Sequence, residues 1–369
     1  MRYLEIDTAK KISKIGLGTW QFGASEWGYG EPYAEQEAQA IVRRALDLGV
    51  TLFDTAEIYS SGRSERILGR ALGDDRRSVF LSTKMFPVVP GAFVVRQRAM
   101  ASAHRLGVSC LDLYQAHWPN PLVGDGTIMR GMRSLQRAGL VSEVGVSNYS
   151  LARWRAAESA LRSRVLSNQV EYSLVHRSPE RDLLPYAEAH GRVIIAFSPL
   201  AQGLLSGRYH TASRPADRVR ATSPHFHPEN LERTSGLIAV LREVADAHAA
   251  TPAQIALAWI IQQPAVAAIP GASSVRQLES NVAAAEIELA EDEYQALHAV
   301  SARICPAGVP DAPARRSLSE LKHSAKFALK HSAKGGWYVA KTMWRDQRSE
   351  QTLPTTPGMA DSDAQSDGG

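Results

Sequence analysis

The chain has 369 residues, of which 44% are hydrophobic, and it carries a net charge of +4 at pH 7. This length and apolar content provide for one large core of roughly 250 residues with further elements attached to it. Two cysteines, Cys110 and Cys305, are too few for a disulfide framework, and they are not spaced as metal ligands.

The charges are distributed unevenly along the chain. Residues 315–350 contain nine Lys and Arg against three acids, whereas 351–369 contain three Asp and no base. The rest is close to neutral and lacks the basic footprint of a nucleic-acid-binding domain. The N-terminus has no apolar segment of signal-peptide type, and no run of about 18 apolar residues could span a membrane. We therefore expect a soluble, cytoplasmic protein that does not bind nucleic acid.

Short apolar runs alternate with segments of helical periodicity, which predicts βα units and a parallel sheet. Helices are predicted at 35–48, 64–72, 93–106 and 127–138. Strands are predicted near 15–19, 50–53, 79–83, 111–116, 142–146, 166–170, 193–197 and 265–269. Eight parallel strands with crossover helices close into a barrel, so the predicted fold class is α/β, a (β/α)8 TIM barrel.

Four residues with proton-transfer chemistry follow three of the predicted strands: Asp54, Tyr59, Lys84 and His117. Taken singly, each has an ordinary structural explanation as a helix cap, rim packing, a solvated charge or a loop histidine. Together they lie where such a barrel places its active site, at the carboxyl ends of its strands. The group therefore indicates general acid–base chemistry.

Several motifs resemble the aldo-keto reductase family, in particular its potassium-channel β-subunit-like and bacterial carbonyl reductase branch. The resemblance extends from about Ile15 to Ile304. In chain order the motifs are GLGTW at 16–20, LFDTAEIY at 52–59, STK at 82–84, DLYQAHWP at 112–119, GVSNY at 145–149, NQVEYS at 168–173, FSPLAQGLLSGRY at 197–209 and IPGASSVRQLESN at 269–281. The resemblance implies NAD(P)H-dependent reduction of a carbonyl compound.

Carbonyl reduction needs a proton donor as well as a hydride donor. An unperturbed tyrosine has a pKa of about 10, and a neighbouring cation lowers it by favouring the phenolate. Lys84 is the predicted cation, Asp54 its ion-pair partner, and His117 the residue that orients the substrate. The resemblance implies the same roles, with Tyr59 as the general acid.

No GxGxxG motif follows the first strand, so a doubly wound dinucleotide domain is disfavoured. The resemblance instead implies a nicotinamide cofactor bound by the barrel. The residues that it assigns to the nicotinamide carboxamide are Ser147, Asn148 and Gln169, and Thr19, Trp20 and Asp54 are further predicted cofactor-binding residues. Those assigned to the pyrophosphate are Ser198, Leu200, Gln202 and Gly203, and those assigned to the adenosine end are Gly271, Ser273, Gln277 and Asn281.

Two positions at the adenosine end depart from the family pattern. Gly271 stands where many members carry Lys, and Gln277 stands where many carry Arg. Losing both cations should weaken a preference for the 2′-phosphate, by roughly 1–3 kcal/mol for each charge-assisted contact. Arg276 is a candidate to compensate. NADPH is the expected cofactor, and NADH is the alternative.

The expected substrate site has an aromatic mouth next to Tyr59 and His117. It is formed by Trp20, Trp27, Tyr29 and Trp118. Such a pocket fits aldehydes, quinone-like ketones and keto-sugars equally. Three alternatives stay open: a reductase of a nucleotide-linked keto-sugar, a cofactor-sensing regulatory subunit with slow turnover, and a barrel retained for binding only, which the intact tetrad disfavours.

Two further segments do not belong to the simple repeat. The long polar stretch 203–233 is predicted to form a loop over the cofactor, as the resemblance implies. Beyond the barrel (1–304), we predict a Pro-rich linker at 305–314, a basic amphipathic helical extension at 315–350 and a disordered tail at 351–369. Lysines beside tryptophans in the extension suit an anionic membrane surface, and packing on the barrel or on another subunit is the alternative.

Overall fold

The computed structural model describes residues 1–24, 32–87, 92–120, 124–216 and 218–304. The predicted linker 305–314, extension 315–350 and tail 351–369 lie outside the described residues. So do Trp27 and Tyr29, which were assigned to the substrate mouth.

Eight parallel strands form one sheet whose order follows the chain. They are β1 (Leu17–Gly18), β2 (Leu52–Asp54), β3 (Phe80–Met85), β4 (Leu111–Ala116), β5 (Val141–Ser147), β6 (Ser167–Glu171), β7 (Val193–Phe197) and β8 (Val266–Ala268). The chain before β1 also pairs with β8, because Gly16 N–H donates to the Ala268 carbonyl (2.8 Å) and Ala268 N–H to that of Lys14 (2.8 Å). The sheet therefore closes on itself, which confirms the predicted (β/α)8 barrel.

A helix follows each of the first six described strands, as a parallel barrel requires. The helices are α1 (Pro32–Asp47), α2 (Arg63–Leu72), α3 (Ala92–Leu106), α4 (Asp125–Arg137), α5 (Leu151–Leu161), α6 (Leu183–His190), α7 (Arg218–Ala221), α8 (Pro228–Ala247), α9 (Pro252–Gln262), α10 (Val275–Ala283) and α11 (Glu291–Ser301). Three of them, α7 to α9, connect β7 to β8. Helix α10, which follows β8, contacts α1, so the outer layer of helices closes around the sheet.

The stretch 203–233, predicted to form a loop over the cofactor, contains short helical elements among its described residues. Short 3-10 turns span Ala201–Ser206 and Pro224–Phe226, and α8 begins at Pro228. Proline suits the first turn of a helix because its fixed φ is already helical and no N–H is lost. Phe226 is fully buried and packs edge-on against Tyr209 (5.1 Å between ring centroids), which anchors the segment.

Alternation along the strands divides the barrel interior into an apolar and a polar half. Leu52, Phe80 and Leu113 pack together near the amino ends of their strands, where Leu4 and Ile12 cover them. Two residues further along the same strands, the inward positions are occupied by Asp54, Ser82 and Gln115, all buried. Because inward positions recur every second residue, this change from apolar to polar places the chemistry at the carboxyl end of the barrel.

Two helix-interior glycines provide a matched test of the packing. A Cβ at Gly69 in α2 would lie 2.7 Å from the Leu106 carbonyl oxygen and 2.9 Å from that of Arg105, at the end of α3. A Cβ at Gly236 in α8 would meet no atom within 4 Å of the described chain. We expect Gly69→Ala to lower the free energy of unfolding by about 1–3 kcal/mol through overpacking. Gly236→Ala should raise it by up to about 1 kcal/mol through helix propensity.

Urea unfolding followed by circular dichroism would measure both changes, with an unchanged m-value as the control for two-state behaviour. Equal effects of the two substitutions would contradict the close approach of α2 to α3.

Candidate active site

The ends of three neighbouring strands bring the predicted tetrad together. Asp54 is the last residue of β2, Lys84 lies near the end of β3, and His117 directly follows β4. Tyr59 begins the turn Tyr59–Gly62 after β2. Lys84 and Asp54 are almost completely buried, with 0% and 1% of their surface exposed. A charged pair so deep in the barrel must be satisfied by its own contacts, because water cannot reach it.

The Lys84 ammonium group has three acceptors, which matches its three N–H donors. Its Nζ donates to Asp54 Oδ1 (2.6 Å), to the Thr55 carbonyl oxygen (2.8 Å) and to Tyr59 Oη (3.4 Å). One cation therefore connects the buried carboxylate to the phenol.

A buried polar network holds Asp54 from the opposite side. Ser82 Oγ donates to Asp54 Oδ2 at 2.8 Å and Gln169 Nε2 donates to the same oxygen at 2.9 Å. Gln115 Nε2 donates to Ser82 Oγ (2.8 Å), and Gln115 Oε1 accepts from Ser167 Oγ (3.1 Å). Sequence reasoning missed Ser82, Gln115 and Ser167 as site residues. The signal was period-two spacing along each strand, because Ser82, Gln115 and Ser167 precede Lys84, His117 and Gln169 by two residues.

Burial, rather than the neighbouring cation, decides the pKa of Tyr59. Burial raises the Tyr59 pKa above its ordinary value, Lys84 opposes this, and Asp54 adds to it. Lys84 therefore acts on the Tyr59 pKa in the predicted downward direction, but burial outweighs it and the net shift is upward. Burial alone would lower the Lys84 pKa, but Asp54 and Tyr59 outweigh it, and the net shift is upward.

His117 lies against Tyr59 and carries Trp118 on its other side. The His117 and Tyr59 rings meet edge-on with centroids 5.7 Å apart, and Trp118 stacks on His117 at 3.9 Å. The backbone N–H of His117 donates to the Met85 carbonyl oxygen (2.9 Å). Of the predicted substrate residues, the structure thus brings Tyr59, His117 and Trp118 together, while Trp20 is about half exposed (49%) after β1.

The residues predicted to hold the nicotinamide amide lie on the neighbouring strands β5 and β6. Ser147 Oγ and the Asn148 backbone N–H both donate to the Gln169 carbonyl oxygen, at 2.8 and 2.9 Å. Asn148 Nδ2 donates to Ser147 Oγ (3.0 Å) and to the His117 carbonyl oxygen (3.3 Å). Thr19, another predicted cofactor-binding residue, donates from its hydroxyl group to the Asp54 carbonyl oxygen (3.0 Å).

The segment predicted to line the pyrophosphate has an unusual backbone. Ser198, Ala201 and Gln202 adopt positive φ angles of 49°, 47° and 57°, and Gly203 follows at 98°. A left-handed conformation costs a non-glycine residue roughly 1–2 kcal/mol, and several such residues close together are typical of ligand-binding loops. Leu200 lies within this run. Sequence reasoning missed Arg220, whose Nε donates to the Gln202 carbonyl oxygen (2.8 Å).

The four residues predicted for the adenosine end cluster around the start of α10. Gln277 Oε1 accepts from both the backbone N–H and the hydroxyl of Ser273, each at 2.8 Å. Asn281 Nδ2 donates to the Gly271 carbonyl oxygen (3.2 Å). A Cβ at Gly271 would lie 2.9 Å from Gln21 Oε1, so a larger residue there would displace Gln21.

Among the described residues, no group of three or more His, Cys, Asp or Glu side chains is arranged to hold a metal ion. No helix in the same ranges combines the length and apolar character needed to cross a membrane.

Comparison with known proteins agrees with this geometry. The model of the Aldo/keto reductase family matches residues 14–302. An uncharacterized oxidoreductase of Mycobacterium tuberculosis is 57% identical over 297 residues, covering 80% of this chain and 92% of the relative. The methylglyoxal reductase of Escherichia coli is 33% identical over 293 residues, covering 78% and 90%. The solved structure of a Klebsiella pneumoniae aldo-keto reductase in complex with NADPH is 28% identical with a TM-score of 0.66, covering 84% and 98%. The chain therefore belongs to the aldo/keto reductase family.

Proposed function

We propose that this protein reduces an aldehyde or ketone to an alcohol with NADPH as the hydride donor and Tyr59 as the general acid. The observation that carries the proposal is the fully buried Lys84 ammonium group, which donates to both Asp54 and Tyr59. A buried cation shared between a carboxylate and a phenol is costly as a purely structural feature. At the carboxyl end of a barrel, such a cation can stabilise the phenolate that Tyr59 becomes when it donates its proton.

The hydrogen bonds of the amide side chains fit a nicotinamide carboxamide. Gln169 uses its Nε2 on Asp54, and Asn148 uses its Nδ2 on Ser147 and His117, so each side-chain carbonyl oxygen is left as an acceptor. Two acceptors match the two N–H groups of a carboxamide. When bound there, the cofactor supplies the hydride.

The start of α10 and the strained loop after β7 fit the phosphate groups. Helix geometry leaves the backbone N–H groups of Val275 and Arg276 without a carbonyl partner inside α10, and the helix dipole favours an anion at this end. Arg220 places a cation beside the strained loop through its bond to the Gln202 carbonyl oxygen. The exposed Arg276, next to Gln277, is the cation available to a 2′-phosphate, which supports NADPH over NADH. The similarity to an NADPH-bound reductase supports the same choice.

Proton donation is the chemistry assigned to Tyr59. Because burial raises its pKa above the ordinary value, the phenol stays protonated at neutral pH and can donate to the oxygen of a carbonyl being reduced. The Lys84 ammonium, 3.4 Å from Tyr59 Oη, stabilises the phenolate that remains. Asp54 in turn keeps the lysine charged, which the raised Lys84 pKa reflects.

His117 is assigned the role of orienting the substrate. Its ring lies edge-on to Tyr59, a position from which a ring N–H can donate to the same carbonyl oxygen. Trp118, stacked on His117, provides an apolar surface next to that oxygen. The similarity to a methylglyoxal reductase makes small aldehydes the first substrates to test, with a nucleotide-linked keto-sugar as the alternative in the same panel.

Tyr59→Phe should lower kcat for reduction by about 10²- to 10⁴-fold, the usual contribution of general acid catalysis. The ring remains, so NADPH binding measured by fluorescence titration should be unchanged. Tyr114→Phe is the matched control, because the Tyr114 hydroxyl is buried and has no hydrogen-bond partner among the described residues. Retention of more than about a tenth of the wild-type kcat would contradict the assignment of Tyr59.

Lys84→Met should impair alcohol oxidation more than carbonyl reduction. Oxidation needs the Tyr59 phenolate as base, and removing Lys84 takes away the charge that opposes the upward shift of the Tyr59 pKa. In the pH profile for oxidation, the limb over which kcat/KM rises with pH should therefore move to higher pH, whereas kcat/KM for reduction should stay constant up to the raised Tyr59 pKa. Profiles in both directions would measure this. Equal losses in both directions at every pH would indicate a structural role alone.

Gln277→Arg should increase the ratio of kcat/KM for NADPH over NADH by roughly tenfold, because a charge-assisted contact contributes about 1.5–3 kcal/mol. Gln277→Met is the control, since it removes the same bonds to Ser273 without adding charge. Gly271→Lys is a poorer test because it displaces Gln21. The same increase with Gln277→Met would show that charge at this position does not select the cofactor.

A further inference from the structure

Glu57 is a buried carboxylate that the tetrad does not use. It lies between Asp54 and Tyr59, and its side chain is 9% exposed. Its Oε1 accepts the backbone N–H of Phe86 (2.6 Å) and lies 3.4 Å from Arg98 Nε. Arg98 Nη1 donates to the carbonyl oxygen of Phe86 (2.5 Å). The ion pair therefore holds Phe86 by both its N–H and its C=O group.

Phe86 is the first member of an aromatic wall, defined here as Phe86, Trp118 and His117. The Phe86 ring meets Trp118 edge-on with centroids 5.4 Å apart, and Trp118 stacks flat on His117 with an interplanar angle of 6°. Such ring contacts are directional, so fixing Phe86 limits where the other two rings can lie. The wall ends at Tyr59, which His117 contacts edge-on.

The second connection runs through the backbone. The N–H of Glu57 donates to the Lys84 carbonyl oxygen (3.2 Å). The Glu57 side chain accepts from the backbone N–H of Phe86, which is two residues after Lys84. Glu57 thus ties the loop that carries Tyr59 to the end of β3, which carries Lys84. Burial is the main cause that raises the Glu57 pKa, and Arg98 and the Phe86 N–H oppose it. An ionised group at this position is costly, and its directed bonds offset that cost.

We infer that Glu57, paired with Arg98, is a positioning residue for carbonyl reduction: it fixes Phe86 and, through it, the aromatic wall that orients the substrate beside Tyr59. The inference rests on the proposed function. Planar aromatic aldehydes, which contact the whole wall, depend on this pair more than small aliphatic aldehydes do.

Glu57→Ala should lower kcat/KM for 4-nitrobenzaldehyde by at least about tenfold, since a displacement of about 1 Å can cost about 100-fold. The loss for methylglyoxal should be several times smaller. Glu57→Gln keeps an acceptor for the Phe86 N–H and should recover most of the loss. Arg98→Met frees the Phe86 carbonyl group and should show the same substrate dependence as Glu57→Ala, which provides a second route if that variant does not fold.

Glu65→Ala is the matched control. Glu65 is fully buried nearby, and it accepts from Thr83 Oγ1 (2.7 Å) and Arg105 Nε (2.5 Å) rather than from the Phe86 backbone. It should lower stability without changing the ratio of kcat/KM between the two aldehydes. The effect of Glu57→Ala on that ratio should also disappear in a Trp118→Ala background, because coupled residues are not additive.

Hydrogen exchange of the peptide containing Phe86 reports on the positioning without any turnover. Glu57→Ala should shorten the protection of the Phe86 amide, and Glu65→Ala should not. Equal losses for both aldehydes, or a changed aldehyde ratio in Glu65→Ala, would overturn the inference while leaving the reductase intact. A wild-type protein that turns over neither aldehyde nor any other carbonyl would instead overturn the proposed function, and this inference with it.

Discussion

The ion pair between Lys84 and Asp54 is the constraint on which the site depends. Taking both charges out of water is costly, and it is tolerated only where further hydrogen bonds satisfy the remaining donors and acceptors. Here Thr55 and Tyr59 accept the remaining hydrogen bonds of the lysine ammonium group, while Ser82 and Gln169 donate hydrogen bonds to the carboxylate. Strands β2, β3 and β6 must therefore stay in register for the pair to exist, so the geometry of these residues and the closure of the barrel stabilise each other.

The barrel separates stability from chemistry along its axis. Its amino end is filled by apolar side chains such as Leu52 and Phe80 and covered by Leu4. Its carboxyl end carries polar side chains and the loops in which non-glycine residues adopt left-handed conformations, as at Asn148 (φ 62°) and Ser198 (φ 49°). Such backbone strain persists only where packed surroundings enforce it. The apolar half supplies that support, so the loops can be shaped by what they bind.

The start of α10 and the segment after β7 are the two places where we propose that the cofactor phosphates bind. Gly271 and Gln277 stand where the resemblance implies cations, and Gln277 Oε1 instead accepts from the Ser273 backbone N–H beside the N-cap residue Ser274. Arg220 comes from α7, in a segment that the sequence alone places only as a polar stretch. The proposed function therefore places Arg220 on the segment that follows β7, beside the loop proposed to bind the pyrophosphate.

The sequence by itself determined the eight strands, the barrel and the tetrad, because these depend on local periodicity and on residues that directly follow apolar runs. Tertiary structure decided the rest. The bonds of Ser82 and Gln115 depend on the register between strands distant in the chain. Arg220 and Arg98 reach the loops at the carboxyl end of the barrel from α7 and α3, and no local pattern encodes how these helices pack. The direction of the Tyr59 pKa shift depends on how far burial outweighs a neighbouring charge, and burial exists only once the barrel has closed around the phenol.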